Sequence, residues 1–268
     1  FGVLSFVVLP LLPDHGYGPY AALNPHHVWL MVVLVSGVSL AGYMALRLLG
    51  ARQSLVLVGV CGGLVSSTAT TVVYARQVRL QPELRDVGGA IITISNLTVL
   101  ARFAVITAIV APAALPLMLP LFGGALLVGV LPLAYRLRPA AARPEFTTPD
   151  LSNPAQIHVA IAFGGLYALV LVATAWLSSG AGSEGLYGLA TVAGLVDVDA
   201  ITLSSLRLFN GGAVGASVAA TAIGLAYMAS VVFKLLVLAF AGDLQVLKGW
   251  GMVLAAPAAA LGVALLII

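Results

Sequence analysis

The sequence predicts an all-α, polytopic membrane protein. It comprises two repeats of about four transmembrane helices with a discontinuous second helix in each, preceded by a truncated N-terminal helix. Three observations carry this reading. The 268 residues are 61% hydrophobic and only 8% charged, with a mean hydropathy of +1.12, whereas a soluble domain carries about 25% charged residues. The apolar runs reach roughly 20 residues, enough to cross hydrocarbon as helices, and lack the short alternating segments of a membrane barrel. Finally, GLVSSTATT at 63–71 aligns without gaps to GLVDVDAIT at 194–202.

Taken in order, the opening run FGVLSFVVLPLLP predicts the tail of a preceding transmembrane helix, with its loop filling 1–23. The first repeat covers 24–138, with apolar spans at about 25–49, 55–74, 87–111 and 115–135. A Pro- and Arg-rich linker at 139–152 then separates it from the second repeat, 153–268, whose spans begin near Pro154, Leu186, Ala213 and Val246. Asn24-Pro25 and Asn153-Pro154 each read as an N-cap followed by proline at the first helical position. Arg76 aligns with Arg207, and Arg102 and Lys234 fall at nearly matching depths in the third helix of each half. Several landmarks in one order indicate duplication.

Loop charges bear on sidedness. If every run crosses once, Arg76, Arg79, Arg85, Arg136, Arg138, Arg143 and Arg207 share one face, opposite Arg47, Arg52 and Lys248. The positive-inside rule makes the first face cytoplasmic, and the repeats are then parallel. If the second helix of each half instead enters and leaves on one face, each half has an odd crossing count and the repeats are inverted.

Composition and motifs exclude several functions. A net charge of +3 spread over many loops offers no basic tract for nucleic acid. Cys61, the single cysteine, cannot form an internal disulfide. An intramembrane aspartyl protease needs carboxylates from two helices, and an intramembrane serine hydrolase needs a base near Ser66 or Ser67; neither is present in the pattern. No enzyme activity is expected.

Asp197 and Asp199 are the most informative residues. They lie midway along an apolar span, where each ionised carboxylate costs on the order of 2.5 to 3.5 kcal/mol. In a regular helix, residues two apart point about 200° away from one another, so a shared ligand requires an unwound segment. Gly194 and the β-branched run Val196, Val198, Ile201 and Thr202 favour such a break. Ser66 and Thr68 replace the two aspartates in the first half, and Thr71 matches Thr202. Across a pseudo-symmetry axis these residues form an oxygen-rich set suited to a hard cation. Arg102 and Lys234 are the matching counter-charges, and equally the partners of purely structural ion pairs. Asn96, with Thr93, Ser95 and Thr98, gives the third helix a polar side. The GxxxG spacings Gly59/Gly63 and Gly211/Gly215 predict close helix packing.

The run NPHHVWLMVVLVSGVSLAGYMALRLLGARQ, with GGLVSSTATTVVYAR and GLVDVDAITLS, resembles the C-terminal membrane module of bacterial MgtC/SapB family proteins. The resemblance implies the bacterial inner membrane, a missing N-terminal MgtC-like domain as partner, and a tilt toward divalent-cation physiology. It implies no established activity. The expectation is therefore a transporter or channel for a small cation, magnesium first, held by Asp197, Asp199, Ser66, Thr68, Thr71 and Thr202. Arg102, Lys234 and Asn96 serve as counter-charge or gating groups. Magnesium is the one candidate cofactor, and the bilayer, the cation and a second copy of the chain are the remaining partners. The alternative is a non-transporting regulatory or assembly module.

Overall fold

A computed structural model describes residues 4–17, 24–26, 28–30, 32–33, 55–137, 165, 172, 182–195 and 197–267. Most of the first helix of each half, the linker 139–152 and the Asn153-Pro154 start lie outside the described residues. The described regular elements are helical. A π-helical turn, Leu4–Val8, runs into the short helix Leu9–Leu11. The main helices are α1 (Leu55–Leu80), α2 (Arg85–Val110), α3 (Leu115–Leu137), α4 (Gly182–Gly194), α5 (Val198–Asn210), α6 (Ala216–Phe240) and α7 (Leu244–Leu265). Among the described residues five segments, those of α1, α2, α3, α6 and α7, are long and apolar enough to cross a membrane.

Length alone misleads for α1. Its backbone leaves the helical region at Ser66 (φ −169°, ψ 110°), and the chain doubles back there. A Cβ built on Gly62 would lie 2.8 Å from the Thr70 hydroxyl and 3.5 Å from Thr70 Cβ, whereas eight residues of straight helix span about 12 Å. The first arm climbs alongside α2. Gly59 packs on Ile91 and Ile94, and Gly63 packs on Ser95 and Thr98. The second arm descends, bringing Tyr74 and Val78 against Gly88. Thus α1 is a re-entrant helical hairpin with its tip at Ser66. The hairpin closes because Gly59, Gly62 and Gly63 carry no side chain. A Cβ on Gly59 would sit 2.6 Å from Ile94 Cβ, and one on Gly63 would sit 2.5 Å from the Ser95 carbonyl oxygen.

The second half repeats the device. Helix α4 ends at Gly194, and Asp197, with extended backbone (φ −149°, ψ 116°), opens α5. Asp197 is the residue aligned with Ser66. Gly194, aligned with Gly63, presses on Ala226 of α6, aligned with Ser95. The starts of α2 and α6, Arg85 and Ala216, fall in the same register. This correspondence makes α4–α5 a second hairpin with its tip at Asp197.

Contacts at the helix ends give the directions. Arg79 donates to the Phe240 carbonyl at 3.2 Å, Arg85 pairs with Asp243 at 2.5 Å, and the Arg136 guanidinium sits 5.1 Å over Trp250. The α1, α3 and α6 C-termini therefore share one face with the α2 and α7 N-termini. At the other face, Asn210 donates to the Val110 carbonyl at 2.5 Å. Hence α2 leaves the first face while α6 arrives at it, and the halves are inverted. The single-crossing assumption for every apolar run fails at α1. Its consequences for sidedness fail too: Lys248 joins Arg76, Arg79, Arg85 and Arg136, and Arg207 lies toward the other face. Gly211 and Gly215 are not a packing seam either, because they sit in the turn between α5 and α6, where Gly212 takes a positive φ of 72°.

One apolar core joins the halves. Helix α2 is its axis, buried along most of its length and packed on α1, α3, α5 and α7. Phe103 of α2 meets Phe122 of α3 and Tyr227 of α6 edge-on, with ring centroids 5.3 Å and 6.1 Å away.

Candidate functional site

Each hairpin tip exposes the backbone groups that a helix break orphans, and the aligned tip residues answer in the same way. Ser66 Oγ accepts from the Ala69 N–H at 3.2 Å. Asp197 Oδ1 accepts from the Asp199 N–H at 2.7 Å and the Ala200 N–H at 3.4 Å. Ala69 and Ala200 are aligned, so both tips are N-caps of the returning arm. A carboxylate is the stronger cap because it also meets the positive end of the α5 dipole.

The charged residues divide sharply. Arg102 of α2 forms an ion pair with Asp199 Oδ2 and donates to the Leu64 carbonyl at 3.0 Å. One guanidinium thus holds both tips, the first through the Leu64 carbonyl and the second through Asp199. Arg102 Nε and Asp199 Oδ1 have no partner, so the pair is not fully satisfied. Lys234 of α6 is wholly buried and bonds a neutral group, Asn96 Oδ1, at 2.8 Å. Asn96 Nδ2 donates in turn to the Tyr227 hydroxyl at 2.8 Å. No carboxylate lies within ion-pairing distance of Lys234 among the described residues.

The other expected ligands separate into two groups. Thr71 and Thr202 are buried and donate to the carbonyls of Ser67 and Val198, one turn back, at 2.8 Å and 2.9 Å. They support the returning arms. Ser66, Thr68 and Asp197 are partly exposed at the tips. Thr93 and Thr98 of α2 likewise bond their own helix, as does Ser95. Among the described residues, no three His, Cys, Asp or Glu side chains gather as a metal cluster. Tyr227 went unread in the sequence, although its alignment with Asn96 was a usable signal.

Comparison with known proteins gives a family and no activity. The model of a family described as "Domain of unknown function (DUF4010)" matches residues 33–242. An uncharacterized protein of Aquifex aeolicus (strain VF5) is 33% identical over 185 residues, covering 68% of this chain and 79% of the relative. No solved structure matches. The matched family description does not mention MgtC/SapB proteins.

Proposed function

We propose a transport function for this chain, which belongs to the DUF4010 family of domains of unknown function. The substrate is a small cation, bound between the two hairpin tips with Asp197 as its carboxylate ligand and Ser66 and Thr68 as neutral oxygens. One observation carries the reading. Two broken helices from inverted halves bring aligned residues to mid-depth, and the carboxylate there is partly exposed and, among the described residues, outside any ion pair. Broken helices meeting near the midplane of inverted repeats are a recurrent transporter plan, and an ionisable group at that depth is functional by default.

Charge balance refines the ion. Arg102 already neutralises Asp199, leaving one carboxylate for the guest. A singly charged cation fits this balance only where Lys234, the second buried base, is neutral, because a protonated Lys234 already offsets Asp197. A magnesium-like ion, toward which the MgtC/SapB resemblance leans, needs Asp199 to leave Arg102 and turn both carboxylates inward. The concentration of Arg76, Arg79, Arg85, Arg136 and Lys248 on one face orients that face to the cytoplasm of a bacterial inner membrane.

A second reading draws on the Arg102–Asp199 pair: a regulatory or assembly module whose charges only lock helices together. Flux separates the two. Asp197→Asn keeps a side-chain oxygen to cap α5 and gives up only the dipole contribution of the charge, so the variant folds. In liposomes under sodium, potassium or magnesium gradients, the wild type moves one of these ions and the folded variant loses that flux. A wild type that moves none of them, or a variant that matches it, overturns the transport reading.

A further inference from the structure

The C-termini of α1 and α6 meet at the basic face around an open groove of about 460 Å³, lined by Arg76, Arg79, Leu80, Phe240 and Ala241. We propose that this groove binds the phosphate headgroup of an anionic phospholipid, with Arg76 as the principal ligand. The site lies away from the hairpin tips, and the proposal is independent of what the protein transports.

Each helix C-terminus contributes about half a negative charge, so the two termini offset roughly one of the two guanidiniums and leave the groove net positive. Arg79 is partly committed, donating to the Phe240 carbonyl at 3.2 Å. That contact fixes it across the groove and leaves its remaining N–H donors available. Arg76 is exposed and, among the described residues, makes no hydrogen bond or ion pair. The neighbouring Arg85 is already paired with Asp243, so its charge is spent locally.

Apolar chemistry picks the lipid over a free anion. The groove's rim carries Leu80 and Phe240, 82% and 79% exposed. Both sit at helix ends, where a membrane protein meets the headgroup region. A phosphodiester between the guanidiniums would lay its acyl chains over those side chains, and a free phosphate would leave them in water. Guanidinium suits this role because its planar fork matches phosphate oxygens.

The test uses the whole purified chain in detergent, with thermal melting and native mass spectrometry as readouts. Phosphatidylglycerol, phosphatidylcholine and inorganic phosphate are the probes. Phosphatidylglycerol raises the melting temperature saturably and gives a discrete bound adduct, and the other two do neither. Arg76→Gln, an exposed change at a side chain with no partner among the described residues, weakens phosphatidylglycerol binding by about tenfold, the loss of one charge-assisted hydrogen bond. Lys248→Gln removes an equal charge from the same face, outside the groove, and leaves binding intact. Equal response to phosphatidylcholine, full reproduction by inorganic phosphate, or equal loss in the Lys248 and Arg76 variants each overturns the proposal.

Discussion

Replacing Asp199 with Asn removes the acid from Arg102 while nearly preserving side-chain shape. Both partners are buried, with side chains 8% and 9% exposed, so the guanidinium is left with the Leu64 carbonyl and an amide. Breaking one side of a buried pair costs about 3–5 kcal/mol. At about 2–4 °C per kcal/mol for a chain of this size, melting should fall by about 6–20 °C. The double variant Arg102→Met with Asp199→Leu removes both charges into apolar volume, an exchange that is often neutral or stabilising. Its residual cost is the charge-assisted hydrogen bond lost at the Leu64 carbonyl, about 1.5–3 kcal/mol. The double variant should therefore melt above Asp199→Asn. The assay is thermal unfolding of the four proteins (wild type, Asp199→Asn, Arg102→Met and the double variant) in one detergent. An Asp199→Asn protein that melts with the wild type refutes the reasoning, and so does a double variant no better than that single variant.

Two further outcomes test the architecture. In a Cys61→Ala background, the Gly62→Cys/Thr70→Cys pair should oxidise to an internal disulfide, detected by loss of thiol labelling, because the Cβ positions are 3.5 Å apart; a straight α1 forbids it. At the basic face, the Gln245 N–H, and then Arg85, hold the Asp243 carboxyl below its ordinary range. That contribution is present above the ordinary aspartate pKa and lost as pH falls through the lowered value, so Asp243→Asn should flatten the acid limb of the stability profile and leave neutral pH less affected.

Much of the site was legible because the cues were local. GLVSSTATT and GLVDVDAIT place Ser66 and Asp197 in register, and both proved to be the break. Intramembrane charge singled out Arg102, Asp199 and Lys234. The direction of the chain after the break was not legible, since a kinked crossing and a hairpin share the same sequence pattern. Gly62 against Thr70 and Gly59 against Ile94 decide it, and those are contacts made only in the fold. The pairing of charges was equally hidden. Two acids and two bases allow several matches, and the position of α2 between the tips gives Asp199 to Arg102 while Lys234 turns to Asn96. The local bonds of Thr71 and Thr202 were hidden as well, since a buried Thr in a helix readily satisfies its hydroxyl on the carbonyl one turn back.

Because one copy brings the arginine and the other the acids, the halves have become complementary rather than equivalent. Two first halves in tandem would set arginines opposite tips that hold only hydroxyls. Two second halves would crowd four carboxylates around two lysines whose partner, Asn96, belongs to the first half. Neither homotypic pairing balances its own charge, so the centre needs one copy of each half, and it cannot return to a dimer of identical units without being rewritten.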